Sequence, residues 1–78
     1  SEIYQQIGNV RPVPPAELVE AWNREHPAPA LIEYRPYRGA EPQRTRTVGR
    51  ASVSLGGAAV IWIEGQSAPV ALRACTAL

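Results

Sequence analysis

The spacing of apolar residues predicts one helix near the start of the chain. Segment 15–25 begins with a proline, and Leu18 and Trp22 stand four residues apart with Val19 beside them. Proline is favoured in the first helical turn, and a spacing of four residues places two side chains on one helix face. His26 precedes another proline, so it avoids the helical conformation. The pattern predicts a helix over about 15–25 with a narrow apolar stripe that faces a sheet.

The segment before this helix shows no regular spacing of apolar residues. Residues 1–13 (SEIYQQIGNVRPV) form an irregular N-terminal arm in this interpretation. Ile3, Tyr4 and Ile7 fit a single helical turn. The alternative is an extended segment that docks as an edge strand. Arms of this kind are often disordered until other contacts hold them in place.

The remainder of the chain, residues 30–75, alternates between apolar and polar residues as antiparallel strands do. Ile32 and Tyr34 share one face of the first of these segments. Gly49 predicts a bulge or bend within the second segment. Gly56 begins a Gly-Gly pair that indicates a tight turn. The pattern predicts four strands, at 30–37, 44–55, 58–64 and 69–75.

A helix followed by four strands with short connections predicts a single α+β domain that spans residues 1–78. Such a strand meander must cover one face with the helix or curl into a small barrel. We expect a curled four-stranded antiparallel sheet, either a meander or SH3-like, with the N-terminal helix packed on one side.

Length and composition narrow the class of protein. A chain of 78 residues buries a thin core, which disfavours the deep clefts that small-molecule sites need. Cys75 is the only cysteine, so no internal disulfide can form. No apolar run approaches the roughly 18 residues that span a bilayer. These features predict a cytoplasmic protein with no membrane partner.

Residues suited to catalysis or metal binding are few. His26 is the single histidine, and its simplest role is at a helix C-terminus. Cys75 lies in the last predicted strand, where a small buried filler is the usual role. One histidine, one cysteine and no aspartate do not assemble a zinc site without distant glutamates. We expect no enzyme activity, no cofactor and no metal.

Charge is distributed unevenly along the chain. The sixteen residues 35–50 contain five arginines and one acid, Glu41, which gives this stretch a net charge of +4 and the remainder −3. Alternation places three of the arginines on one strand face, and a hairpin between 30–37 and 44–51 adds a fourth. Two tyrosines lie nearby. The candidate partner-binding residues are therefore Arg35, Arg38, Arg44, Arg46, Arg50, Tyr34 and Tyr37.

Three interpretations of this arginine-rich stretch stay open. Exposed strands are commonly charged simply to prevent edge-to-edge aggregation. Mixed arginine and tyrosine residues are also typical of protein interfaces and of surfaces on which bases stack. The net charge of +1 favours an acidic protein surface or a nucleoprotein complex over nucleic acid alone, because dedicated nucleic-acid binders are usually strongly basic. The pattern does not choose between a monomer and a homodimer.

The turns and the paired segments GGAAVIWIEG and QSAPVALRA resemble the outline of small SH3-like β domains. In its size and its lack of catalytic residues the chain also resembles small orphan proteins of phages and mobile elements, such as the anti-CRISPR proteins. This resemblance implies a non-enzymatic inhibitor that occupies the surface of a partner stoichiometrically. The alternative is a small nucleic-acid-binding β module.

Overall fold

A computed structural model describes residues 13–78 of the chain. The predictions for the N-terminal arm therefore lie outside the described residues, apart from Val13. In chain order the elements are helix α1 (Pro15–Glu25), strands β1 (Leu31–Tyr34), β2 (Gln43–Arg46), β3 (Ser52–Val53), β4 (Ala59–Ile61) and β5 (Val70–Ala71), a 3-10 helix (Leu72–Ala74) and strand β6 (Cys75–Ala77). The α+β class is confirmed.

Helix α1 has the bounds that the sequence predicts. Pro15 occupies its first turn, and Glu17 lies near the positive end of the helix dipole. His26 caps the other end, where its backbone N–H donates to the carbonyl oxygen of Trp22 at 2.7 Å. Val19 and Trp22 pack against the core, whereas Leu18 is exposed. The buried stripe is thus narrower than predicted.

The strands form two small sheets, so the expectation of a single four-stranded sheet is wrong. The first sheet has the order β2-β1-β6 and the second has the order β3-β4-β5, and all pairings are antiparallel. The predicted hairpin between β1 and β2 is confirmed, with Glu33 opposite Arg44. A bridge between Thr47 and Ile63 joins the two sheets at one corner.

The predicted strand over 44–55 ends at Arg46 because helix α1 supplies a competing partner. The Asn23 side-chain amide donates to the carbonyl oxygen of Ala51 at 3.0 Å, and the backbone N–H of Ala51 donates to Asn23 Oδ1 at 2.8 Å. A side chain thereby satisfies backbone groups that a neighbouring strand would otherwise bind. The chain turns toward the helix here and resumes as β3 in the second sheet.

The predicted strand over 69–75 is also divided, by the 3-10 helix Leu72–Ala74. This short helix carries the chain from β5 in the second sheet to β6 in the first. Leu72 and Cys75, three residues apart, are both buried, as the three-residue turn of a 3-10 helix allows. The prediction of one continuous strand over 69–75 is therefore wrong.

Both sheets contribute to one core. Ile32 and Cys75 come from the first sheet, and Ile61 and Val70 from the second. The predicted Gly-Gly turn is confirmed at the end of the β3–β4 hairpin, where Gly57 adopts a φ of 85° that favours glycine.

Helix α1, with 11 residues, does not meet the length and apolarity needed to cross a bilayer, and no other helix of residues 13–78 does so.

Candidate interaction surface

The side of the first sheet turned away from the core presents a defined set of side chains. Residues directly opposite each other in a sheet share a face, and residues two apart along a strand do so as well. Leu31 pairs with Arg46, and Glu33 lies between Arg44 and Thr76. We call this surface the outer face, and it consists of Leu31, Glu33, Arg44, Arg46, Thr76 and Leu78.

Two leucines of the outer face are exposed side by side. Leu31 is 66 % exposed and Leu78 is 62 % exposed. The backbone N–H of Leu78 donates to the carbonyl oxygen of Leu31 at 3.1 Å, which holds the two residues next to each other. Together with Arg44 they line a groove of about 500 Å³. The outer face therefore combines apolar side chains with arginines.

The arginines of β2 differ in their partners. Arg46 forms an ion pair with Glu64, and both side chains are about half exposed. The hydroxyl of Thr45 donates to the backbone carbonyl oxygen of Glu64 at 3.3 Å and holds this segment against β2. Arg44 forms no ion pair with any residue from 13 to 78. The charge of Arg46 is offset locally, and that of Arg44 is available to a partner.

A second arginine cluster lines a groove of about 530 Å³ at the end of β1. Its basic residues come from three places: Arg35 directly follows β1, Arg38 lies in the β1–β2 turn, and Arg73 lies in the 3-10 helix. All three are exposed, and within the described part of the chain none pairs with a carboxylate. Tyr37, which is 69 % exposed, lines the same groove. We call this the arginine groove.

The structure does not bring the whole predicted set together. Arg50 lies outside β2, in the segment that bends toward α1, and lines a hollow with Glu20 and Asn23. The prediction that Arg44, Arg46 and Arg50 share one strand face is therefore wrong for Arg50. The break in the strand at 47–51 is the cause.

The two predicted tyrosines also separate. Tyr34 lies on the inner side of β1, where it is half-buried and packs against the core. Tyr37 belongs to the exposed β1–β2 connection. Of these two tyrosines, Tyr37 is therefore the one that presents an accessible ring beside arginines.

Sequence reasoning missed Arg73. This residue stands 35 positions after Arg38 in the sequence, outside the arginine-rich stretch, and the 3-10 helix brings it to the same groove. No local pattern indicates this arrangement, because it depends on the chain crossing from the second sheet to the first. The sequence placed Arg73 in a regular strand.

Cys75 and His26, the two residues considered for catalysis or metal binding, each make a local contact in the structure. Cys75 is buried, and burial raises the pKa of its thiol to about 11, so the reactive thiolate is scarce at neutral pH. Its Sγ donates to the carbonyl oxygen of Ala71 at 3.7 Å. The ring of His26 lies against Trp22, with 4.7 Å between ring centroids.

Residues 13–78 contain no cluster of three or more histidine, cysteine or acidic side chains placed to hold a metal ion.

Comparisons with protein-family models, with curated proteins and with solved structures find no match to this chain.

Proposed function

We propose that this chain is a non-enzymatic binding protein that occupies an acidic surface of a partner protein or nucleoprotein complex through the outer face of its first sheet. The observation that carries the proposal is the exposed pair Leu31 and Leu78 beside Arg44, which forms no ion pair among residues 13–78. Apolar side chains that become buried at the centre of an interface, with charges around them, are characteristic of protein–protein contacts.

The mixture of leucine and arginine favours a protein over a nucleic acid at this face. Nucleic-acid backbones are recognised mainly by positive charge, and exposed leucines add little to that recognition. The partner surface that fits has an apolar centre for Leu31 and Leu78 and a carboxylate placed to meet Arg44. An arginine that pairs with such a carboxylate in a desolvated interface contributes strongly to holding the complex together.

The mode of action that we propose is stoichiometric occupation, as in small phage-encoded inhibitors of the anti-CRISPR type. The structural roles of Cys75 and His26 support a mechanism without covalent chemistry. The SH3-like outline is likewise proposed as an architecture, and it is supported by the bridge between Thr47 and Ile63 that joins the two sheets.

The experiment compares two matched variants in capture from nuclease-treated lysate of the source cell. The test variant is Leu31→Ser with Arg44→Glu. The control is Leu55→Ser with Arg50→Glu, which makes the same chemical changes at the fully exposed tip of the β3–β4 hairpin and beside α1. We expect the control to capture the same protein as the wild type and the test variant to lose it.

A second measurement establishes how the captured protein binds. Titration of the purified partner should saturate at a fixed ratio, and the affinity should fall by about thirtyfold or more for the test variant, which corresponds to the 2–5 kcal/mol of a desolvated charged contact. Equal capture by both variants would show that the outer face is not the interface. Capture by the wild type from untreated lysate that is lost from nuclease-treated lysate would favour the alternative of a nucleic-acid-binding module.

A further inference from the structure

The arginine groove is a second surface, at the end of β1, whose chemistry differs from that of the outer face. Among residues 13–78, its lining includes three arginines and one carboxylate, that of Glu33, and no exposed leucine. A guanidinium group binds phosphate oxygens in a planar geometry with two parallel hydrogen bonds. Because the three guanidinium groups come from different segments of the chain, they surround the groove instead of converging on one point. A ligand with more than one negatively charged oxygen fits this arrangement.

Tyr37 adds a feature that a simple anion site does not require. Its ring is 69 % exposed and lines the groove together with Arg38. Exposed aromatic rings next to unpaired arginines bind single-stranded nucleic acids, because bases stack on the ring while the arginines contact the backbone. The hydroxyl of Thr76 offers a further hydrogen-bond donor at the edge of the groove.

We infer that the arginine groove binds a short stretch of single-stranded nucleic acid, with phosphates held by Arg35, Arg38 and Arg73 and a base stacked on Tyr37. The groove volume of about 530 Å³ lies within the range of ligand sites, roughly 300–1,000 Å³, and accommodates a nucleotide unit. The inference deepens the proposed function, because a nucleoprotein partner would present protein to the outer face and nucleic acid to the groove.

The two surfaces are continuous. Glu33 and Thr76 belong to the outer face and also line the arginine groove. A single partner that carries both protein and exposed nucleic acid can therefore contact both surfaces at once. Glu33 opposes the binding of phosphate through its negative charge, and its removal should strengthen nucleic-acid binding.

The test is fluorescence anisotropy with a labelled oligothymidylate and a labelled oligouridylate, each about twelve nucleotides long. We expect binding that weakens with NaCl, with a slope of about −2 in log K against log salt for three phosphate contacts. Replacing Arg35, Arg38 and Arg73 with Ala should reduce the affinity by at least about thirtyfold, and Tyr37→Ala by about tenfold. Glu33→Gln should increase it.

Against the groove double variant Arg35→Ala with Arg73→Ala, the matched control replaces Arg24 and Arg50 with Ala, which removes the same charge from exposed positions outside both the arginine groove and the outer face. It should retain most of the affinity. Equal losses in the two double variants would overturn the inference, as would the absence of oligonucleotide binding. Competition by inorganic phosphate as strong as that by the oligonucleotide, or equal binding of polyglutamate, would overturn it in favour of a free anion or an acidic peptide.

Failure of this inference is distinguishable from failure of the proposed function. Capture of the protein partner is measured with outer-face variants and nuclease-treated lysate, and oligonucleotide binding with groove variants and purified components. Oligonucleotide binding at the arginine groove, with no effect of the outer-face variants on partner capture, would indicate a nucleic-acid-binding module. Partner capture through the outer face, with no oligonucleotide binding at the groove, would leave protein binding as the function.

Discussion

The two sheets differ in composition and in their relation to the helix. Strands β3, β4 and β5 contain no charged residue, and α1 packs on β3 and β4. Strands β1 and β2 carry Glu33, Arg44 and Arg46 on the outer face, where Leu31 and Leu78 stay exposed. Ile61 of β4 and Val70 of β5 belong to the buried core, as expected of uncharged strands near a helix. The charged strands with exposed leucines instead form the surface to which we assign binding in the proposed function.

This contrast separates side chains that stabilise the fold from side chains of the proposed binding surface. Side chains that tie α1 to the second sheet contribute to the free energy of unfolding, and side chains on the outer face can change with little effect on folding. The following substitutions test that division, beginning with the largest expected loss of stability.

Trp22 is the residue of α1 on which the packing against the core depends most. It is half-buried and lies against the core cluster, so Trp22→Ala should lower the free energy of unfolding by about 3 kcal/mol. That is a large fraction of the total stability of so small a protein. Chemical denaturation followed by circular dichroism measures the change.

Trp62 supplies the control for this substitution. It lies in the segment that follows β4 and is 44 % exposed, so Trp62→Ala should cost about 1 kcal/mol. Trp22→Phe gives a second control, because the indole Nε1 of Trp22 is buried without a hydrogen-bond partner among the described residues. Removing an unsatisfied donor offsets part of the lost packing. Equal losses for Trp22→Ala and Trp62→Ala would contradict the proposed role of α1.

Asn23 should have the next largest effect, because it joins α1 to the chain between the sheets. Asn23→Ala removes both hydrogen bonds to Ala51 and leaves the N–H and carbonyl of a buried residue without a side-chain partner. We expect a loss of about 1–3 kcal/mol in chemical denaturation. Asn23→Asp keeps the acceptor and loses the donor, so it should fall between Asn23→Ala and the wild type. An unchanged midpoint for Asn23→Ala would show that this contact does not hold the segment.

Local signals in the sequence were sufficient for the helix and for the hairpins. Proline at the start of α1 and His26-Pro27 at its end act within one turn, so its bounds were predictable. The Gly-Gly pair likewise specifies its turn through the φ of Gly57. The pairing of β1 with β2 followed from alternation and a short connection. These features require only neighbours along the chain.

The division into two sheets was not predictable in this way. It depends on contacts between residues far apart, such as Asn23 with Ala51 and Thr47 with Ile63. Thr47 is fully buried, although it lies within the arginine-rich stretch, for which an exposed, charged strand is one of the interpretations. Its hydroxyl accepts a hydrogen bond from the backbone N–H of Ala30 at 3.0 Å, which satisfies the buried polar group.

The candidate site was predictable in the part whose residues are close in sequence. Arg35, Arg38 and Tyr37 are close in sequence and line one groove. Arg50 separates from them because Asn23 bends the chain, and Arg73 joins them through the 3-10 helix. Both changes follow from the two breaks in the predicted strands. A prediction of the site therefore depends on locating those breaks.

Among the contacts of Trp22, Asn23 and Arg46, the ion pair of Arg46 with Glu64 should have the smallest effect on stability. It links β2 to the segment after β4, but both side chains are about half exposed. Exposed pairs contribute about 0.2–1 kcal/mol, because solvent and salt screen the attraction and ordering two long side chains costs entropy. A double-mutant cycle of Arg46→Ala and Glu64→Ala, measured by chemical denaturation, should give a coupling in this range that declines in 1 M NaCl, where screening acts over about 3 Å. A coupling well above 1 kcal/mol that persists in salt would mean that the ion pair joins the two sheets as strongly as a buried contact does. The outer face would then contribute to stability as well as to binding, and the division drawn between the two sheets would not hold at Arg46.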